Sequence, residues 1–129
     1  MTFRKNSTTK PILFVVDDDS ALCTALKFAL ELDGFVLRTF SRPSILLECT
    51  DLTAANCFII DYRLPEMDGL ELLNRLRKLH VIAPAVLITS NPSPSVRAKA
   101  KAAGVPIVEK PLLNNTLSER VHLMLSKAR

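Results

Sequence analysis

Residues 12–20 read ILFVVDDDS, five consecutive apolar residues followed at once by three aspartates and a serine. A short apolar run with β-branched and aromatic members is typical of a strand buried on both faces of a parallel sheet. The three carboxylates repel one another, and burial at a strand end disfavours their charged forms further. The stretch therefore predicts a buried first strand and a positively charged group that meets the acids at its end.

The strand pattern returns four more times along the chain. Runs CFII and AVLI are apolar throughout, and the two weaker runs each follow a glycine, Gly34 or Gly104, that suits the end of a helix. The four predicted strands are residues 35–40, 57–60, 85–88 and 105–108. Each is short enough to be a strand of a parallel sheet.

Amphipathic segments with helical spacing lie between these runs. Leucines and other apolar residues recur on one side of segments 20–32, 70–79 and 117–128, and Asp19 is expected to cap the first. Residues 96–103 alternate apolar and basic side chains, but alanine, lysine and arginine favour a helix there. Five strand–helix units predict the α/β class, a doubly wound five-stranded parallel sheet with helices on both faces.

Length and composition indicate one globular domain. The chain has 129 residues, of which 48% are hydrophobic and 23% charged. No apolar run approaches the roughly 18 residues of a membrane span, and the first ten residues lack the apolar centre of a secretory signal, so a cytoplasmic protein is expected. We expect residues 1–10 to be a flexible extension and residues 11–129 the domain. The three cysteines lack metal-site spacing and are expected to be buried thiols.

The positive net charge of +4 lies at the two ends of the chain. Residues 1–10 carry three bases and no acid, and residues 117–129 carry three bases and one acid. The remainder has 11 bases and 12 acids, and the chain has no tryptophan and a single tyrosine. Without a basic stripe interleaved with aromatic residues, direct nucleic-acid binding by the core is not expected.

Polar residues fall at the ends of several predicted strands. Asp17 and Asp18 end the first, Asp61 the third and Thr89 the fourth, and Lys110 follows the fifth. The carboxyl ends of parallel strands share one edge of a sheet, which is where doubly wound folds bind ligands. Carboxylate oxygens are ligands for hard divalent cations, and Mg²⁺ commonly combines one or two carboxylates with phosphate oxygens and water. The pattern predicts a magnesium site at this edge, with Lys110 beside it.

The residues at this edge, in this order, resemble the receiver domains of two-component response regulators, the CheY-like superfamily with a flavodoxin-like fold. Most specific is the stretch from Asp61 to Gly69, in which an aspartate ends a strand, a proline follows four residues later, and Met-Asp-Gly opens a helix. The resemblance covers essentially residues 11–128. The matching segments are VVDDDS (15–20), IIDYRLPEMDGLEL (59–72), LITS (87–90) and EKP (109–111).

The resemblance implies a signalling domain rather than an enzyme, one that assists its own phosphorylation and dephosphorylation. Asp61 would accept a phosphoryl group from a sensor histidine kinase, a phosphotransfer protein or a small phosphodonor. Mg²⁺ would be held by Asp18, Asp61 and the backbone carbonyl of Arg63, while Asp17 would support Asp18 and reach the metal through water. No membrane contact is implied.

The resemblance also assigns roles to the residues of the fourth and fifth strands. Thr89 and Lys110 would contact the phosphoryl oxygens, and the bond between Lys110 and Pro111 would be cis. Phosphorylation would alter the surface of the fourth helix, fifth strand and fifth helix, which would control a downstream effector protein or domain and support a phosphorylation-dependent homodimer. The sequence departs from the family at the switch position, where Ile107 replaces the usual tyrosine or phenylalanine.

Three other classes of protein fit part of the pattern. A haloacid-dehalogenase-type phosphatase also starts with a strand and Asp-x-Asp, but it needs a further acidic pair after its lysine, and only Glu119 follows Lys110. A flavodoxin-like flavin binder needs a first loop that cradles phosphate, which three carboxylates would repel. A receiver-like interaction module that works without phosphorylation stays open as an alternative, favoured by Ile107.

Overall fold

Five parallel strands form one sheet in the order β2-β1-β3-β4-β5. The computed structural model describes residues 9–112 and 115–127. The strands are β1 (Ile12–Val16), β2 (Val36–Phe40), β3 (Cys57–Asp61), β4 (Ala85–Thr89) and β5 (Ile107–Glu109). The helices are α1 (Ser20–Leu32), α2 (Pro43–Leu47), α3 (Gly69–Lys78), α4 (Pro94–Ala102) and α5 (Thr116–Lys127), with a 3₁₀ turn at Leu52–Ala54.

The helices cover both faces of the sheet, which confirms the predicted doubly wound fold. Alternate residues of β1 point to opposite faces, so that Phe14 packs in one apolar cluster and Leu13 in the other. The first cluster is closed by residues of α2, α3 and α4, and the second by residues of α1 and α5. Every strand residue of β3 and β4 is buried, as their uninterrupted apolar runs predict.

Two strands begin later than their apolar runs predict. The amide of Phe35 donates to the Leu30 carbonyl and that of Val105 donates to the Ala100 carbonyl, so both residues close the preceding helix instead of joining the sheet. The residue between Val105 and β5 is Pro106, which has no amide hydrogen to donate to the sheet. The predicted starts at 35 and 105 are therefore wrong, and the strands start at Val36 and Ile107.

The predicted helix ends are confirmed at the two glycines. Gly34 and Gly104 have φ angles of +99° and +71°, the left-handed conformation that follows a helix. The side chain of Asp19 accepts a hydrogen bond from the Leu22 amide, so the predicted cap of α1 is also confirmed.

The second helix is the least regular element of the fold. It spans only the five residues Pro43–Leu47 and was not located from the sequence, because five residues are too few to show a helical period. The predicted extension at residues 1–10 lies mostly outside the described residues, and Ala128, a predicted member of the fifth helix, lies outside them as well. Among the described helices, none is both long enough and apolar enough to span a membrane.

Candidate functional site

The register of the sheet brings the polar strand ends together. Val16 pairs with Ile60, so Asp17 lies next to Asp61 across β1 and β3. On the other side Asp61 pairs with Ile88, so Thr89 extends one residue beyond it. Because the pairing is parallel, each strand delivers its polar residue to the same edge.

Three carboxylates meet at this edge. One oxygen from each of Asp17, Asp18 and Asp61 lies within 4.8 Å of the others. Asp17 and Asp61 are 1% and 5% exposed, whereas Asp18 faces solvent. The group is therefore an acidic cavity with two buried members and one open side.

Lys110 supplies the positive charge that the sequence predicts. Its Nζ lies 2.9 Å from Asp17 Oδ2 and 3.2 Å from Asp61 Oδ2. The backbone holds Lys110 at this edge, because its amide donates to the Thr89 carbonyl. The bond between Lys110 and Pro111 is cis, as predicted. Burial alone would lower the pKa of Lys110, but hydrogen bonding and attraction to Asp17 and Asp61 outweigh it, and the pKa is raised.

The lysine does not fully offset the cost of ionising Asp61. Burial raises the pKa of Asp61, and the charge of Asp17 raises it further, while Lys110 and the Arg63 amide act in the opposite direction. The net result is a pKa above the ordinary aspartate value. The arrangement would therefore be stabilised by a second positive charge next to Asp61.

The oxygens of the site fit a small hard cation. Asp17 Oδ1 accepts the Asp19 amide and Asp61 Oδ1 accepts the Arg63 amide, which fixes both carboxylates. Asp17 Oδ2 is buried and, among the described residues, receives no well-directed hydrogen bond, although it is paired electrostatically with Lys110. An all-oxygen donor set with an under-used buried oxygen suits Mg²⁺.

Gly69 has a structural role that the sequence motif did not reveal. A Cβ at this position would lie 2.5 Å from the backbone oxygen of Asp61, closer than carbon and oxygen can approach. The start of α3 therefore packs directly on the strand end that carries Asp61. The sequence signal for this role is the glycine in Met-Asp-Gly, which by itself predicts only the start of a helix.

The predicted switch residues lie on β4 and β5, to one side of the acids. Thr89 is 1% exposed at the end of β4. Ile107 is half-buried, pairs with Leu87 in the sheet and packs against the cluster under α4. Beside it, Arg97 of α4 and Glu109 of β5 form a surface ion pair. The structure thus places Ile107 close to the surface of α4 and β5 but not among the carboxylates.

Comparison with known proteins agrees with this geometry. The model of the family "response regulator receiver domain" matches residues 13–122. The chain belongs to this family. Its receivers are signalling domains of two-component systems, so the phosphatase and flavin-binder alternatives are set aside.

Individual relatives are transcription and response regulators. The chain is 29% identical over 122 residues to the transcriptional regulatory protein FixJ of Bradyrhizobium diazoefficiens, covering 94% of this chain and 60% of FixJ. It is 29% identical over 126 residues to the response regulator protein TodT of Pseudomonas putida, covering 97% of this chain and 56% of TodT. The chain thus spans less than two thirds of these relatives.

Solved structures share the fold. A CheY-like receiver domain protein from Methanospirillum hungatei superposes on the receiver with a TM-score of 0.82 at 24% identity, covering 92% of this chain and 96% of that one. At this level of identity the likeness concerns the fold alone.

Proposed function

We propose that this receiver accepts a phosphoryl group on Asp61 in the presence of Mg²⁺ and thereby controls a partner or effector domain. The donor would be a sensor histidine kinase, a phosphotransfer protein or a small phosphodonor. The observation that carries the proposal is the meeting of Asp17, Asp18, Asp61 and Lys110 at the carboxyl end of the sheet. Phosphoryl transfer depends mainly on positioning and charge stabilisation, and this arrangement offers both.

In the proposed reaction an Asp61 oxygen attacks phosphorus, and an O–P bond forms as the donor's N–P or O–P bond breaks. The electron pair of the broken bond stays with the donor; a histidine nitrogen then takes up a proton from solvent, whereas acetate leaves acetyl phosphate as a carboxylate and needs none. Lys110 lies beside Asp61 Oδ2 and would donate to a phosphoryl oxygen as negative charge builds up. No general base is required, because the nucleophile is a carboxylate.

The metal would be held by the carboxylates of Asp18 and Asp61 and the backbone carbonyl of Arg63. Asp17 would reach it through water while it remains paired with Lys110. When bound, Mg²⁺ supplies charge neutralisation between the acids and the phosphoryl oxygens. The raised pKa of Asp61, caused mainly by burial, supports this role, because a nearby cation favours the ionised nucleophile.

Phosphorylation would change the surface formed by α4, β5 and α5, and this change would begin at Thr89. The phosphoryl group would carry about −1.5 to −2 charges in place of the single negative charge of the Asp61 carboxylate, and the Thr89 hydroxyl would approach it as a donor. Ile107 would respond by repacking, because it has neither a ring nor a hydroxyl. The altered surface would bind the effector and, as the resemblance to other receivers suggests, a second phosphorylated copy of the chain. No direct nucleic-acid contact by the receiver is proposed.

A direct experiment separates this function from its closest alternative. The purified protein is incubated with Mg²⁺ and acetyl phosphate, and the intact mass is measured alongside Asp61→Asn. We expect a phosphoryl adduct on the unaltered protein that is lost in the variant and after removal of Mg²⁺ by EDTA. The half-buried aliphatic Ile107 favours a second candidate, an interaction module without phosphorylation, and an Asp61 that stays unmodified would support it.

A further inference from the structure

Glu66, in the loop between β3 and α3, makes a two-point contact with the start of α2. Its Oε1 accepts the backbone amide of Ser44 at 2.8 Å, and its Oε2 accepts the Ser44 hydroxyl, also at 2.8 Å. Arg42 Nη1 lies 3.9 Å from the same Oε2. We call this set of contacts the Glu66 clasp.

The clasp replaces a helix cap that α2 does not have itself. The cap position of α2 is Arg42, whose side chain makes no hydrogen bond to the first turn of this described helix. Glu66 satisfies the free Ser44 amide from a distant part of the chain and brings a negative charge to a helix start. The Ser44 hydrogen bonds lower the pKa of Glu66, so the carboxylate is ionised at neutral pH.

Glu66 adopts an uncommon backbone conformation to make this contact. Its φ is +74°, a value that residues with a side chain seldom adopt. Such a conformation costs on the order of 1 kcal/mol and persists where the surroundings enforce it. Locally this conformation belongs to a γ-turn, in which the Met67 amide donates to the Pro65 carbonyl at 2.8 Å, while the two Ser44 hydrogen bonds hold the Glu66 side chain.

The position of the clasp follows from the strand order. Strand β1 lies between β2 and β3, so the contact between Glu66 and Ser44 joins the segments that follow the two strands on either side of β1. The same segment before α2 also holds the acids from the other side, because the Asp17 amide donates to the Phe40 carbonyl. Residues 40–44 therefore contact both loops that carry the carboxylates.

We propose that Glu66 is a positioning residue that fixes the β3–α3 loop against α2 and thereby holds the backbone of Arg63 in place for the metal. This inference rests on the proposed function above. Glu66 itself contacts neither the metal nor the phosphoryl group. Its effect is transmitted through the two residues between Arg63 and Glu66, so that opening the clasp would free this short segment to shift.

The test compares Mg²⁺ binding of Glu66→Ala, Glu66→Gln and a matched control. Tyr62 is the single tyrosine in a chain without tryptophan, and it directly follows Asp61, so its fluorescence can report the titration. The control is Glu71→Ala, which removes the same charge from an exposed ion pair with Arg75. Hydrogen exchange of the amides of residues 62–68 is measured without metal, so that loop restraint is tested independently of Mg²⁺.

We expect Glu66→Ala to weaken Mg²⁺ binding by roughly threefold to tenfold, at or below the loss seen when a direct partner of a metal ligand is removed. Exchange of the loop amides should accelerate by a similar factor. Glu66→Gln should keep most of the Mg²⁺ affinity and most of the protection from exchange, because its side-chain amide can still accept from the Ser44 amide and pair with the Ser44 hydroxyl. Glu71→Ala should change neither quantity.

Unchanged loop exchange in Glu66→Ala would overturn the clasp, whatever the protein does with metal. Faster exchange with an unchanged Mg²⁺ affinity would also overturn it, since the clasp would then be structural only. Equal losses of Mg²⁺ affinity in Glu66→Ala and Glu71→Ala would show that the effect comes from the net charge of the protein and not from the clasp. Absence of Mg²⁺ binding by the unaltered protein would instead refute the proposed function and the role of the clasp at the metal. The hydrogen-exchange data would still show whether the clasp restrains the loop.

Discussion

Gly69→Ala is the substitution that best tests whether α3 is seated directly on the Asp61 strand end. The added Cβ would lie 2.5 Å from the Asp61 backbone oxygen, 2.9 Å from Leu87 Cδ1 and 3.0 Å from Ile60 Cγ2. Ile60 Cγ2 branches directly from the Cβ of a buried strand residue and has little freedom, whereas Leu87 Cδ1 is the end of a flexible side chain and can move aside. The Asp61 oxygen is backbone and cannot, so reaching an ordinary contact of 3.4 Å requires a shift of about 0.9 Å in the strand or the helix.

The energetic cost can be bounded from both directions. Overpacking that moves backbone costs about 1–3 kcal/mol, and the rigid neighbour favours the upper part of that range. Alanine recovers up to about 1 kcal/mol because it is the better helix former. The net loss in free energy of unfolding is therefore about 1–2 kcal/mol, which corresponds to a fall in Tm of roughly 3–8 °C for a chain of this size.

Thermal unfolding followed by circular dichroism measures the stability loss, and the Tyr62 titration measures Mg²⁺ binding in the same samples. The matched control is Gly104→Ala, where an added Cβ meets nothing within 4 Å but φ is +71°. Its backbone strain should cost about 1 kcal/mol and leave Mg²⁺ binding unchanged. A Gly69→Ala protein with the Tm and Mg²⁺ affinity of the unaltered chain would refute the seating of α3 on Asp61.

Three further predictions address the charges and thiols. Asp61→Asn should raise the free energy of unfolding in Mg²⁺-free buffer at neutral pH. Burial raises the pKa of Asp61, so ionisation of this carboxyl opposes folding. The gain should shrink as the pH falls towards 4, because the carboxyl is then increasingly protonated in both the folded and the unfolded state. A gain that does not depend on pH would contradict this. Lys110→Met should abolish phosphorylation and lower the unfolding free energy by about 3 kcal/mol, because Asp17 is left buried without its partner; denaturation by urea measures the loss. Half-buried Cys49 should react with iodoacetamide in the folded protein before Cys57, whose pKa burial raises to about 12, and mass spectrometry of partial labelling would show the reverse order if this reasoning fails.

The parts of the fold that depend on local patterns were predictable from the sequence. Apolar runs of four or five residues identify the buried strands, and the parallel arrangement then places Asp17, Asp61 and Lys110 at one edge without further information. Strand starts were less predictable, because the amides of Phe35 and Val105 are taken by the preceding helices. A run of apolar residues does not show whether its first amide will donate to the preceding helix or to a neighbouring strand.

The contacts between loops were beyond what the sequence could predict. The Glu66 clasp requires the order of β2, β1 and β3, a φ of +74° at Glu66 and a five-residue helix that starts near Ser44. None of these leaves a periodic signal. The position of Gly69 against the Asp61 oxygen is of the same kind, since the motif marks the glycine but not the atom that it must approach.

Under the proposed function, charge balance would link metal binding to switching at this site. Three carboxylates face one lysine, so two negative charges are in excess, and a divalent cation matches that excess. Under the proposed function, phosphorylation replaces the charge of Asp61 with about −1.5 to −2 and restores a demand for donors. Thr89 is the next polar group along the edge, and its carbonyl is already joined to the amide of Lys110.

A movement of Thr89 towards the phosphoryl group would therefore pull on β5 as well as β4. Ile107 lies on that strand, half-buried and paired with Leu87, and the ion pair between Arg97 and Glu109 joins the same strand to α4. Such coupling would not need a ring that swings inward, since β5 would itself connect the end of β4 to the ion pair with α4. Replacing Ile107 by alanine would then weaken packing without breaking the connection, whereas a switch that depends on side-chain rotation would be lost.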